Sequence, residues 1–229
     1  IQKNIEKEEK DKKHKKVTKF FIIFFTTIII LITALILYSR FVATSSLVVK
    51  EYAYYSENLP DEFDGFKVIQ FSDIHHGSTI NYDNLKNIID TINYIRPDLV
   101  VFTGDLIAQN YNLTTEEKNK LIELFKSINA PVGKYATMGN EDYSNNNFKD
   151  ILEVSNFIVL DNTYDLIYYK GITPILITGV SSLLENKDNL TQTFSYFKDD
   201  NSNKDLFILS LMHEPDQISN ILSIYDIDL

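Results

Sequence analysis

The chain has 229 residues, 44% hydrophobic and 24% charged, with seven glycines, five prolines and no cysteine. This composition excludes wholesale disorder, a collagen-like chain, a disulfide scaffold and every site built on thiolates. The formal net charge of -10 is uneven: residues 1–19 hold eight lysines against four acids, and residues 41–229 hold thirteen basic against twenty-eight acidic residues. An acidic body argues against a nucleic-acid grip, which needs a basic footprint, but it does not exclude a small phosphate ester held through metal ions.

In chain order, a lysine-rich tail over residues 1–19 comes first. Residues 20–38 then form a run of nineteen without a charge. At about 1.5 Å per residue the run spans roughly 28 Å, close to the hydrocarbon thickness of a bilayer. In lipid its Ile and Thr residues still take a helix, because the backbone must satisfy itself. A transmembrane helix is therefore expected over 20–39, with the lipid bilayer as partner. Two rivals stand beside it. One is a buried core helix. The other is a cleaved signal peptide, with Ala43-Thr44-Ser45 as a small-residue cleavage site. Lys12, Lys13, Lys15, Lys16 and Lys19 precede the run directly, whereas only Arg40 and Lys50 follow closely. That bias places the N-terminus in the cytoplasm and the acidic body outside. The chain starts on Ile1 rather than Met, and its last residues read as the start of a further strand, so a longer parent chain is expected.

Residues 40–62 read as a linker, with an edge strand possible over 47–55, and residues 63–229 as the folded body. Residues 67–71 (KVIQF) and 99–102 (LVVF) are short apolar runs, read as buried strands. Between them, Leu85, Ile88, Ile89, Ile92 and Ile95 recur on one helical face. A capping box, Thr114-x-x-Glu117, opens a helix carrying Leu121, Leu124, Phe125 and Ile128. A third strand over 133–138 and a helix over 148–154 follow. Further strands are expected near 157–160, 166–169, 174–178 and 206–211, with a helix near 188–197. The alternation argues for a layered α/β domain with a largely parallel first half.

Four of these strands run into polar residues suited to metals. They lead to Asp73-Ile74-His75-His76, to Thr103-Gly104-Asp105, to Gly139-Asn140-Glu141-Asp142, and to His213-Glu214. Ligands of open α/β sheets collect outside the carboxyl ends of strands. Carboxylate, imidazole and amide oxygen together suit Mn²⁺, Fe or Zn²⁺. Each motif alone is common by chance; their joint order and position at strand ends is what carries weight.

That joint pattern resembles the calcineurin-like metallophosphoesterases, and among them the membrane-anchored bacterial branch. The family pattern runs Asp-x-His, Gly-Asp, Gly-Asn-His-Asp/Glu, a lone His, and Gly-His-x-His. Here Asp73-Ile74-His75, Gly104-Asp105, Gly139-Asn140-Glu141-Asp142 and His213 match the first four. The resemblance implies a layered β-sandwich of mixed sheets flanked by helices, and a centre of two divalent ions. Asp73 and His75 would bind the first ion, Asp105 would bridge both, and Asn140 and His213 would bind the second. The implied activity is hydrolysis of a phosphate ester by water that the two metals activate. Two departures follow from the same comparison. Glu141 occupies the position of the family His that stabilises charge or protonates the leaving oxygen, which implies weakened phosphomonoesterase activity or a shifted pH optimum. The Gly-His-x-His motif is absent from these residues, which fits a fragment. The alternative is a catalytically impaired, membrane-tethered binding or scaffold homologue. Asp142 reads as an acceptor behind the ligands, and His76 as a turn residue.

Overall fold

A computed structural model describes residues 2–39, 47–145, 147–199 and 206–229. Two compact units result, divided after Tyr52. In the first unit, helix α1 runs from Gln2 to Tyr38 without a break. The lysine-rich segment is therefore helical and continuous with the apolar run. Within α1, His14–Tyr38 is long and apolar enough to cross a membrane, and none of its apolar window is buried in the protein. That exposure is the opposite of what a core helix shows.

The second unit is built on two sheets. In the first, β1 (Val68–Phe71), β2 (Leu99–Phe102), β3 (Gly133–Ala136) and β4 (Ile158–Val159) are neighbours in chain order, and every pair is parallel. Parallel neighbours need crossovers. These are supplied by α2 (Tyr82–Ile95), α3 (Thr115–Lys126) and α4 (Asn147–Val154). The second sheet is mixed. Strand β5 (Thr163–Ile167) is antiparallel to β6 (Ile175–Val180), and β6 is parallel to β7 (Ile208–Met212).

The alternation of side chains along buried strands separates the layers. Val100 and Phe102 of β2 join Leu85, Ile89, Leu121, Phe125, Phe148 and Ile151 under the crossover helices. Leu99 and Val101 point the other way, into a core shared with Ile175, Ile177, Leu209 and Leu211 of the second sheet. On its far face Leu176, Val180 and Ile208 pack on Phe194 and Ile221, beside the short helices α5 (Leu190–Thr193) and α7 (Ile218–Leu222). The body is thus a helix–sheet–sheet–helix sandwich, the α/β architecture expected from sequence. The Thr137 hydroxyl ties the sheets near their carboxyl ends by donating to the Val180 carbonyl at 3.0 Å.

Some elements differ from expectation. Residues 47–55 form no strand. Their backbone finds no ladder partner among the described residues, and the segment entering the body is held by side chains: Tyr54 packs edge-on against Phe207 and donates to the Asp228 carbonyl. The helix expected near 188–197 is two single turns, α5 and α6 (Tyr196–Asp199). Strand β5 starts at Thr163 rather than 166, because its pairing with β6 runs from Thr163–Gly179 to Ile167–Ile175. At the other end of the body, the Leu229 N–H donates to the Ile208 carbonyl at 3.1 Å and its carbonyl accepts from Ser210 at 2.7 Å. This is the pattern of a parallel neighbour beside β7.

Helix α3 opens as its sequence requires. Thr114 Oγ1 accepts the Glu117 N–H at 3.2 Å, and the Glu117 carboxylate accepts the Thr114 N–H at 2.9 Å. Glu117 also accepts the Tyr111 hydroxyl at 2.7 Å, which ties the β2–α3 loop to the helix start. Replacing Thr114 with Ala is expected to lower unfolding free energy by about 1 kcal/mol in urea titrations, the usual cost of a lost cap.

Candidate metal centre

The site grows from the carboxyl ends of β1, β2, β3 and β7. Beyond β1 and β2 the two loops continue side by side. The Asp73 N–H donates to the Gly104 carbonyl (3.0 Å), His75 N–H to Asp105 (3.0 Å) and His76 N–H to Leu106 (2.9 Å). To run so closely the backbone bends into the left-handed region at Asp73 (φ 56°), His75 (φ 42°), Gly104 (φ 99°) and Asp105 (φ 59°). Glycine takes this conformation freely, whereas Asp and His do so at some cost. Gly104 and Gly139 also touch across the loops. A Cβ on Gly104 would lie 2.2 Å from the Gly139 nitrogen, and one on Gly139 would lie 2.2 Å from Asp105 Oδ1. Both positions therefore need a residue without a side chain.

Asp142 locks these loops together. Its buried carboxylate accepts the N–H groups of Asp105 (2.7 Å), Leu106 (3.0 Å) and Gly139 (2.9 Å). Burial pushes its carboxyl up to about 7, against the pull of the three donors. With both oxygens accepting, the ionised form is the one the surroundings fit.

Asp105 lies at the centre, its side chain only 5% exposed. His75 Nε2 is 3.6 Å from its Oδ2 on one side, and His213 Nε2 is 3.4 Å from the same oxygen on the other. Asp73 Oδ1 stands 3.5 Å from His75 Nε2, and the Asp73 side chain is 58% exposed, on the open side of the group. The other ring nitrogens have fixed partners. His213 Nδ1 donates to the Thr103 carbonyl at 2.7 Å, and His75 Nδ1 donates to Glu141 Oε2 at 3.0 Å. Two sets of converging ligand atoms result, Asp73–Asp105–His213 and His75–Asp105–Glu141, each within 4.8 Å. Asn140 stands immediately before the turn Glu141–Ser144. Its chain neighbours Gly139 and Glu141 donate their N–H groups to Asp142 and Asp105.

The donor set suits small divalent ions. Bonds of about 2.1 Å at tetrahedral or octahedral angles put ligand atoms about 3.0–3.4 Å apart. The nitrogen–oxygen separations here are near that range and too long for strong hydrogen bonds. The charges interact accordingly. Burial alone would raise the Asp105 carboxyl, but His213, the Glu141 N–H and His75 together bring it below the usual range. The facing Asp105 carboxylate, with the Thr103 carbonyl, overcomes burial and pushes His213 up to about 9.

The family model described as calcineurin-like phosphoesterase matches residues 66–229. The chain belongs to that family. An uncharacterized metallophosphoesterase of Bacillus subtilis, YkuE, is 34% identical over 182 residues, covering 78% of this chain and 61% of the relative. The UDP-2,3-diacylglucosamine pyrophosphatase LpxG of Chlamydia muridarum is 36% identical over 96 residues, covering 41% of this chain and 28% of the relative. A transmembrane protein with a metallophosphoesterase domain from Danio rerio is 31% identical over 87 residues, covering 38% and 19%. The chain thus spans about three fifths of the Bacillus relative and less of the others.

Sequence reasoning left several contacts of the centre unseen. The spacing gives no sign that Glu141 meets His75, 66 residues away, or that the Thr103 carbonyl holds the His213 ring. The Gln109 N–H, which donates to Glu141 Oε2 at 2.8 Å, is likewise invisible. His76 is buried edge-on against Tyr111, and burial lowers its pKa. Glu214 is buried at the N-cap position of the turn Pro215–Gln217 and accepts the Ser182 hydroxyl.

The sign of the pH dependence follows from His213. Its folded value near 9 lies above the ordinary 6.5. In the ion-free protein its stabilisation is complete below about 6.5 and fades as pH rises through 9. A cation at Nε2 must displace that proton. Calorimetric titration with Mn²⁺ in buffers of different ionisation enthalpy is expected to show about one proton released per chain at pH 7. The release should shrink, and the affinity rise, as pH approaches 9.

Proposed function

We propose that this chain is a membrane-anchored phosphoric ester hydrolase that works with two divalent cations. The observation carrying the reading is the convergence of both histidines on one oxygen of Asp105, from loops at opposite sides of it. On the family pattern, Asp73 and His75 would hold one ion, and His213 and Asn140 the other, with Asp105 shared; Asp73 Oδ1 stands 3.5 Å from His75 Nε2 and also converges with His213 on Asp105. When bound, such ions supply Lewis acidity toward a phosphoryl oxygen and lower the pKa of a bound water.

The chain's own residues do the rest. Thr103 keeps a proton on His213 Nδ1, so that Nε2 is the nitrogen that faces Asp105 and the one that would exchange its proton for a cation. Asp142 holds the three loop N–H groups that set the position of Asp105. The 58% exposure of Asp73 leaves the centre open to substrate on that side. No family His stands at position 141 to protonate a leaving oxygen. The reading therefore favours esters whose leaving group departs without a proton. The name of the Chlamydia relative, a UDP-2,3-diacylglucosamine pyrophosphatase, is compatible with an acylated nucleoside-diphosphate sugar as substrate, and α1 is compatible with work at a bilayer.

Replacing Asp105 with Asn keeps the shape of the side chain and removes its charge. It is expected to cut hydrolysis of bis(p-nitrophenyl) phosphate by at least about 100-fold and to lower Mn²⁺ uptake in parallel. Full uptake with no hydrolysis by the unaltered chain would favour the scaffold reading instead. The anchor has its own test. The chain is expected to stay with membranes after an alkaline wash, and to leave them when residues 20–38 are removed.

A further inference from the structure

Glu141 stands where the family has His, yet its carboxylate is committed elsewhere. Oε2 accepts His75 Nδ1–H at 3.0 Å and the Gln109 N–H at 2.8 Å. Its own backbone N–H donates to Asp105 Oδ1 at 3.0 Å. A carboxylate can only accept, so the His75 ring carries its proton on Nδ1. Nε2 is left facing Asp73 Oδ1 at 3.5 Å and Asp105 Oδ2 at 3.6 Å.

We propose that Glu141 is a positioning residue for cation binding, which fixes the tautomer and ring orientation of His75 so that Nε2 is the ligand atom. The inference rests on the cation-binding reading above and deepens it. Carboxylates placed behind ligating histidines commonly act this way, making the ligand atom more basic. Both donors fall on the same oxygen of Glu141. That oxygen is engaged by hydrogen bonds rather than directed at a phosphate, and a neutral amide oxygen in its place can accept the same two bonds.

The test uses the full chain in detergent with ¹⁵N-labelled histidine, the His75 signal being assigned by its loss in His75→Asn. Spectra of the ion-free protein at pH 8.5 report which ring nitrogen bears the proton, and Mn²⁺ affinity is read by competition with a chelating dye. In the unaltered chain the Nδ1–H form of His75 is expected. Glu141→Gln should keep that form and lose only a few-fold in affinity. Glu141→Ala should lose the preference and bind Mn²⁺ about 10–100-fold more weakly. Glu141→His, which restores the family residue but removes the carboxylate, should weaken binding as Ala does.

An unchanged His75 tautomer in Glu141→Ala would overturn the proposal. So would Glu141→Gln losing as much affinity as Ala with its tautomer intact, since that marks Glu141 as a ligand itself. If the unaltered chain takes up no Mn²⁺, the hydrolase reading fails by itself. The tautomer comparison, made without metal, still decides what Glu141 does to His75.

Discussion

The buried carboxylate of Asp142 is the constraint on which the centre depends. Three N–H groups from two different loops end on it. Each would otherwise be buried without a partner, at a cost of about 1–3 kcal/mol. By gathering them, Asp142 brings the loop after β2 against the loop after β3 and sets the direction in which Asp105 points. The two glycines allow the loops to approach, and the carboxylate keeps them there. The ligand candidates on β1 and β7 then meet a fixed partner. His75 reaches it through the hydrogen-bonded β1 and β2 loops, and His213 through the Thr103 carbonyl.

The fold beneath supplies the common end on which these loops stand. Four parallel strands in chain order bring three carboxyl ends side by side. The second sheet adds β7, parallel to β6, whose carboxyl end bears His213. The alternation in LVVF turns Leu99 and Val101 toward the second sheet, and Val100 and Phe102 toward the helices. One tetrapeptide thereby holds two layers together directly beneath Asp105.

Much of this was legible in the sequence because it is local. Apolar runs of four residues, the helical spacing in α2 and the Thr114–Glu117 box each report a short-range preference. The Gly-Asp and Gly-Asn pairs signal tight turns in the same way. What stayed hidden depends on long-range partners. Residues 47–55 are rich in the β-branched and aromatic residues that strands favour, but a strand needs a neighbour, and none pairs with this segment among the described residues. Glu141 is the sharper case. Its place in the motif suggests a substrate-facing side chain, while its contacts are with a histidine and a backbone N–H that only the folded chain brings near. Asp142, one residue later, reads from its place in the motif as an acceptor behind the ligands, and the three N–H groups it receives appear only in the folded chain.

The left-handed backbone at Asp73, His75 and Asp105 has one further consequence. Conformations of this kind persist only where the surroundings over-determine them. Here the surroundings are the paired β1 and β2 loops and the Asp142 carboxylate, which hold these turns in place. A β-branched residue at any of these three positions would therefore lose twice, giving up a donor atom and meeting a backbone bend that Asp and His tolerate better.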